Sequence, residues 1–359
     1  MSPFWTSGTE DPNEWSEEER GLREIPQYVL DYAPYVHLFS GEHFWPCDIA
    51  EHLVHTSPHL NYTLIESMRD DRTLDNLDEL NQYGRYVYLQ SDDNVEERPG
   101  WLGGSKNIPE TPGDSNDENS ADWPPTPPLI DHLVPESLKK GDTDTPPAEH
   151  SGGGHSTAPA VLVVIPKADG IVDAFWFYFY SYNLGNQVLN VRFGNHVGDW
   201  EHTVVRFQGG EPISVYLSEH NFGTAYTYFA MEKYGKRPVT YSATGTHAMY
   251  ATPGLHPYVL PWGLLHDQTD RGPLWDPLLN AHSYTYNHTE GILRSSLLTP
   301  RAPTSWFYYR GHWGDKFYPL SDPRQYRFAG QYHYVSGPSG PRYKNLGRKD
   351  VCQGRGNVR

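Results

Sequence analysis

Val161-Leu162-Val163-Val164-Ile165, then Lys167-Ala168-Asp169-Gly170, then Val172 through Tyr182 with Phe175-Trp176-Phe177-Tyr178-Phe179-Tyr180 at its centre, is the stretch that decides the fold. The first run is apolar throughout and of strand length. The second is an Asp-Gly turn, and the third alternates large rings. Two such runs across an Asp-Gly turn predict a β-hairpin buried on both faces. Outward from it, strand patterns recur at Trp200–Phe207, Ile213–Leu217, Val239–Ala243 and Tyr284–Tyr286, with Gly and Pro at close intervals. Tyr28–Leu30 and Tyr35–Leu38 read as short strands around Pro34. Helical signals are few. Ser16 caps a run of three Glu, Asp48 precedes a helix reaching about His55, and Leu74–Tyr83 and Ala225–Tyr234 read as short helices. The expected class is mainly β: a β-sandwich-like, antiparallel, jelly-roll-type domain with a few short helices and a long disordered insertion.

Composition supports this reading. The 359 residues include 26 Tyr, 13 Phe and 11 Trp but only 4 Met. The net charge of −17 is unevenly placed: residues 1–20 hold six acids and one base, and residues 91–150 hold fourteen acids and four bases. Residues 1–24 therefore read as an acidic tail. Residues 25–359 read as a single domain, interrupted at 91–157 by an acidic insertion whose ten prolines and polar residues cannot bury enough apolar surface to fold alone. Trp101–Gly104, and Leu129-Ile130 with Leu133-Val134, are patches in it that could dock. The rest of the chain is almost neutral and has no basic cluster, which argues against nucleic acid as a partner. The overall acidity argues likewise against anionic lipid. No stretch is long and apolar enough for a membrane span. The first twenty residues show no secretory pattern. The protein is thus expected to be cytoplasmic as the sequence stands, and vacuolar or secreted were a leader removed. Cys47 and Cys352 are either one bridge or two free thiols.

The densest polar cluster is Gly194-Asn195-His196-Val197-Gly198-Asp199-Trp200-Glu201-His202-Thr203. On a strand from Trp200, side chains alternate, so His202 and Glu201 face opposite ways unless a bulge intervenes. His196 and Asp199 lie in a glycine-bounded turn. Eight of the 18 histidines fall between residues 196 and 288. Three readings stand side by side. His196, Asp199, Glu201, His202 and His247 could form an acid–base site. His196 and Asp199, with His202 or His247, could hold a divalent metal, though no cofactor is required by the first reading. Or these residues could simply satisfy loop backbone groups. Trp200, as a pocket wall, and His220, His256, Asp267, Asp270 and Trp313 complete the candidate binding set. A small apolar or aromatic molecule is the expected partner, and a protein partner stays open.

The chain also resembles a known fungal family, the one named for vacuolar protein sorting-associated protein 62. The resemblance rests on Tyr32-Ala33-Pro34, Asp173-Ala174-Phe175, Phe179-Tyr180-Ser181-Tyr182-Asn183, the string Gly194 to His202, Thr246-His247-Ala248, Asp267 with Thr269-Asp270, and Trp313-Gly314-Asp315. It spans residues 25–90 and 158–352. It implies a link to vacuolar sorting through a binding or trafficking role, without assigning catalytic residues. The leading functional expectation comes from the site residues: an enzyme of a fungal pathway that tailors a small molecule by cyclisation, isomerisation, dehydration or hydrolysis, with the non-catalytic binding or trafficking role as the alternative.

Overall fold

The Asp-Gly hairpin forms as expected, because Asp169 and Gly170 both adopt the left-handed backbone (φ 59° and 70°) that a tight turn between twisted strands demands. It joins strand β1 (Ala160–Pro166) to β2 (Ile171–Asn183), paired from Val161 opposite Phe177 to Pro166 opposite Val172. The computed structural model describes residues 3–8, 10–69, 72–110, 153–220, 222–258 and 264–352. Five further strands complete a seven-stranded sheet: β3 (His196–Gln208), β4 (Glu211–Glu219), β5 (Phe222–Thr227), β6 (Ala281–Asn287) and β7 (Ile292–Ser295). Their order is β5-β4-β3-β2-β1-β6-β7, antiparallel except for the parallel pair β1 and β6.

Alternation along the strands sends two sets of side chains to opposite faces. One face carries Phe175, Phe177, Phe179, Trp200 and Val204, packed against the helix Ile49–Val54, the turn Leu77–Tyr83, and Trp306 and Trp313. The other carries Trp176, Tyr178, Val205 and Phe207, packed against the helix Gln27–Asp31 and a second sheet that includes Val36 and Trp275. That second sheet runs Lys233–Tyr234, Arg237–Ser242, Tyr35–His37 and Leu274–Trp275, with Met249–Tyr250 beside Arg237–Ser242. The fold is mainly β, layered, with short helices. Each fully buried ring contributes about 1.5–3 kcal/mol of burial free energy, so the aromatic run in β2 is the backbone of both cores.

Several local expectations differ from the structure. Ala225–Tyr234 is not a helix: it is the end of β5, a single 3-10 turn at Tyr228–Ala230 and a short strand. Edge pairing with β4 overrides the weak helical pattern there. Tyr28–Leu30 is helical because Pro26 pre-sets the entry to a short helix. In the acidic N-terminal stretch, Trp5 is buried; its indole N–H donates to Asp48 Oδ1 at 2.8 Å, and its ring stacks on His282 at 4.0 Å. The expected insertion is narrower in its loose part. Trp101 and Leu102 are buried, and Glu110 and His155 exchange backbone hydrogen bonds of 2.9 Å. Residues 111–152, with Leu129-Ile130 and Leu133-Val134, lie outside the described residues. Both cysteines are free, and burial pushes the Cys47 thiol up to about 11.

Candidate functional site

Strand β3 builds the floor of a cavity of about 730 Å³, within the ~300–1,000 Å³ of small-molecule sites. Asp199 and Glu201 point from one face of β3, opposite Tyr180 and Tyr178 of β2. His196 lies at the strand's start. Its Nδ1–H donates to the Gly198 carbonyl at 2.7 Å, leaving Nε2 with the lone pair of the neutral ring. Asn183, His220, Thr246 and Lys344 complete the polar lining, and the walls are apolar, with Val188, Leu189, Phe193, Leu264 and Val335 among them.

Asp199 faces His247, whose Nδ1 lies 3.0 Å from Asp199 Oδ2. The other nitrogen of His247, Nε2, sits 3.0 Å from the Phe44 carbonyl. A carbonyl only accepts, so Nε2 carries a proton. The imidazole stacks on Tyr180 at 3.7 Å, and His247 has a left-handed backbone (φ 57°), rare for so large a residue. Both nitrogens are engaged and the side chain is buried. His247 therefore positions Asp199 and does not reach a ligand. A second buried carboxylate, Asp267, accepts from Thr246 Oγ1, Asn186 Nδ2 and Tyr250 OH, and pairs with His220 Nε2 at 2.8 Å.

The electrostatics separate the two floor carboxyls. Burial pushes Asp199 up, but the hydrogen bond from His247, helped by neighbouring basic groups, outweighs it and holds the group below the usual carboxylate range. Burial, then the negative charge of Asp199, hold Glu201 well above that range; Ser218 Oγ–H donates to it. Burial lowers His196, with Asp199 opposing. Burial also acts to lower His220, yet the bond to Asp267 raises it overall.

Not all sequence candidates meet here. His202 projects to the opposite face, among Phe175, Phe177 and Tyr216, with Arg348 Nη2 at 3.4 Å from its Nε2. Burial and the neighbouring cations hold it well below the ordinary imidazole value. Strand alternation thus breaks the proposed metal set of His196, Asp199 and His202. Among the described residues no three His, Cys, Asp or Glu side chains are placed to hold an ion. Trp200 is not a pocket wall; it packs in the opposite core with Phe179, Trp306 and Trp313. Trp313 itself is core. His256 stacks on Tyr250 and bonds Thr269, outside the cavity lining. Asp270 caps a loop through Ser40 and the Gly272 amide.

The same strands carry the likeness to known proteins. A family profile described as vacuolar protein sorting-associated protein 62 matches residues 172–317. "Putative vacuolar protein sorting-associated protein TDA6" of Saccharomyces cerevisiae is 35% identical, over 94% of this chain and 71% of that protein. The yeast "vacuolar protein sorting-associated protein 62" is also 35% identical, over 95% of this chain and 71% of its own length. The chain belongs to the vacuolar protein sorting-associated protein 62 family. The profile of that family takes in β2 to β7, and with them Asp199, Glu201, His220 and Thr246. Lys344 and the wall residues Phe328, Tyr332 and Val335 lie beyond it.

Solved structures resemble this family member only distantly. Necrosis and ethylene inducing protein 2, from the causal agent of cocoa's witches' broom disease, gives a TM-score of 0.28 at 11% identity, over 64% of this chain and 69% of that one. NLPPya in complex with glucosamine gives 0.21 at 12% identity, over 31% and 50%. No helix among the described residues is long and apolar enough to cross a membrane.

Sequence reading missed Ser218, Asn186, Tyr258 and Lys344. Ser218 lies on β4, two residues from Tyr216, so alternation assigns it to the face of His202; that its hydroxyl reaches Glu201 is seen only in the structure. Lys344 gave no local signal, because it reaches the cavity from a distant C-terminal segment.

Proposed function

We propose that this chain is a binding protein of vacuolar sorting, and that the cavity over β3 holds its ligand. The observation that carries this reading is the match over 94% and 95% of the chain to two yeast relatives whose names place them in vacuolar protein sorting. The cavity supports it: apolar walls over a polar floor suit a small molecule, or one residue of a partner, that carries hydroxyl or amine groups. The two buried nitrogens of His247 are both bonded, which fits a rigid binding site. The test is complementation. In yeast lacking both relatives, the secreted fraction of a vacuolar hydrolase is measured with and without this chain. Expression should lower it, and Asp199→Asn should remove the effect. No change with the unaltered chain would sink the sorting role; full rescue by Asp199→Asn would detach the cavity from it.

A second reading is favoured by the separation of the two floor carboxyls. An ionised Asp199 beside a protonated Glu201, with the lone pair of His196 nearby, is an arrangement suited to general acid–base work. It would act on an apolar or aromatic small molecule by cyclisation, isomerisation, dehydration or hydrolysis. Turnover of a small molecule from cell extract that is lost in Glu201→Gln would support it over simple binding.

A further inference from the structure

Three hairpins stand at the mouth of the cavity: Val188 and Leu189 of one and Phe328 and Tyr332 of another line it, as do Tyr258 and Leu264, which flank the strands of the third. The first pairs Gln187–Val188 with Val191–Arg192, the second Arg327–Phe328 with Gln331–Tyr332, and the third Gly254–Pro257 with His266–Thr269. They are tied to one another. Tyr326 OH donates to the Arg192 carbonyl at 2.8 Å, the rings of Phe193 and Phe328 lie 6.5 Å apart, and Asn186 Nδ2 donates to Tyr258 OH at 2.6 Å.

Their tips carry the wrong chemistry for ordinary turns. Two-residue hairpin turns with both φ values positive favour Asn, Asp and Gly. Here the positions are Leu189-Asn190 (φ 49° and 65°) and Ala329-Gly330 (φ 48° and 85°). Leu189 is 78% exposed and Phe328 beside Ala329 is 57% exposed, so each leaves a large apolar group in water. On the third hairpin Leu255 is 60% and Leu264 42% exposed. Charge follows the same outline. About one residue in eight of the chain is acidic, yet segments 187–193, 254–258, 264–269 and 325–333 contain no Asp or Glu apart from the buried Asp267, and two Arg.

We propose that these three hairpins form a docking surface for a phospholipid bilayer, seated by Leu189, Phe328, Leu255 and Leu264, with the cavity mouth facing the headgroups. Tyr258, Tyr326 and Tyr332 stand on the same hairpins, and Tyr is enriched where apolar and wet zones meet. Arg327, over the Tyr332 ring, and Arg192, which donates to the Gly185 carbonyl, add positive charge to the same face. A protein partner would need a continuous, shape-matched area of roughly 800 Å² a side; apolar groups on three separate turns round an opening suit a fluid interface instead. The chain's net negative charge comes chiefly from residues 1–20 and 91–150 and not from these hairpins. The inference is independent of the sorting role and of what fills the cavity.

The experiment is co-sedimentation of the full chain with vesicles of phosphatidylcholine and phosphatidylserine. The unaltered chain should pellet with the vesicles. Leu189→Asn with Phe328→Ser should lower the partition by about tenfold or more. Asn suits a left-handed turn better than Leu, so Leu189→Asn alone should also lower the partition while melting no lower than the unaltered chain, which separates lost docking from lost folding. Phe229→Asp is the control: Phe229 is 84% exposed but follows the far end of β5 from Phe222, whose ring lies 6.4 Å from Tyr258. It should pellet normally. The proposal fails if the unaltered chain stays in the supernatant, if the double variant pellets equally, or if Phe229→Asp loses as much.

Discussion

Asp199 and Glu201 sit two residues apart on one face of β3, and their surroundings drive them in opposite directions. The folded state raises Glu201 above its unfolded value, so it holds a proton there that the unfolded chain releases sooner. Its contribution to stability is present at low pH and is lost as pH rises through the folded value. Glu201→Gln copies the neutral carboxyl. Melting temperatures measured across the neutral range should fall with pH in the unaltered chain and change less in this variant, so that the gap in favour of Gln widens; a constant gap would contradict the raised value. Part of this site is legible in sequence. Alternation from Trp200 already separates Glu201 from His202. What is not legible is which histidines are structural. His247 looks like His196 on paper, and only the Phe44 carbonyl, 203 residues away, shows that its second nitrogen is bonded.

At the scale of elements, two segments with the same Gly-Asp pair cross each other. A Cβ on Gly198 (φ 69°) would lie 1.7 Å from the Trp313 carbonyl oxygen, and one on Gly314 would lie 1.8 Å from that of Val197. The similarity of the two strings therefore reflects a backbone crossing that admits no side chain on either strand. Gly198→Ala should cost about 3 kcal/mol or more in urea unfolding, since the close contact adds to the left-handed strain. Gly194→Ala (φ 80°, with nothing near the new methyl) should cost only about 1 kcal/mol. Equal losses would show that the crossing is not tight. The central hairpin and most strands were readable because their pattern and their burial agree. Two of the hairpins at the cavity mouth were not, because Leu-Asn and Ala-Gly are weak turn signals and their strands are two residues long.

Across the whole molecule, the C-terminal segment is held to the sheet by buried cations. Asp173 on β2 accepts from Arg206 Nε at 2.7 Å and Lys167 Nζ at 2.5 Å. Those same cations reach onward to the carbonyls of Arg348 and Lys349 at 2.6 and 2.7 Å. Asp173→Asn removes the anion and leaves both cations in a buried setting, so a loss of about 3–5 kcal/mol is expected, with earlier proteolytic cleavage of the C-terminal segment. Unchanged proteolysis would show that the segment is anchored elsewhere. The order of the seven-stranded sheet has one more effect, on folding time. β1 is finished at residue 166, but its parallel partner β6 spans 281–287. At roughly 5–20 residues per second of synthesis, the most apolar run of the chain waits on the order of 6–25 s with one edge unpaired. Nascent-chain aggregation, and the need for a chaperone to cover that edge, should accordingly fall within this window.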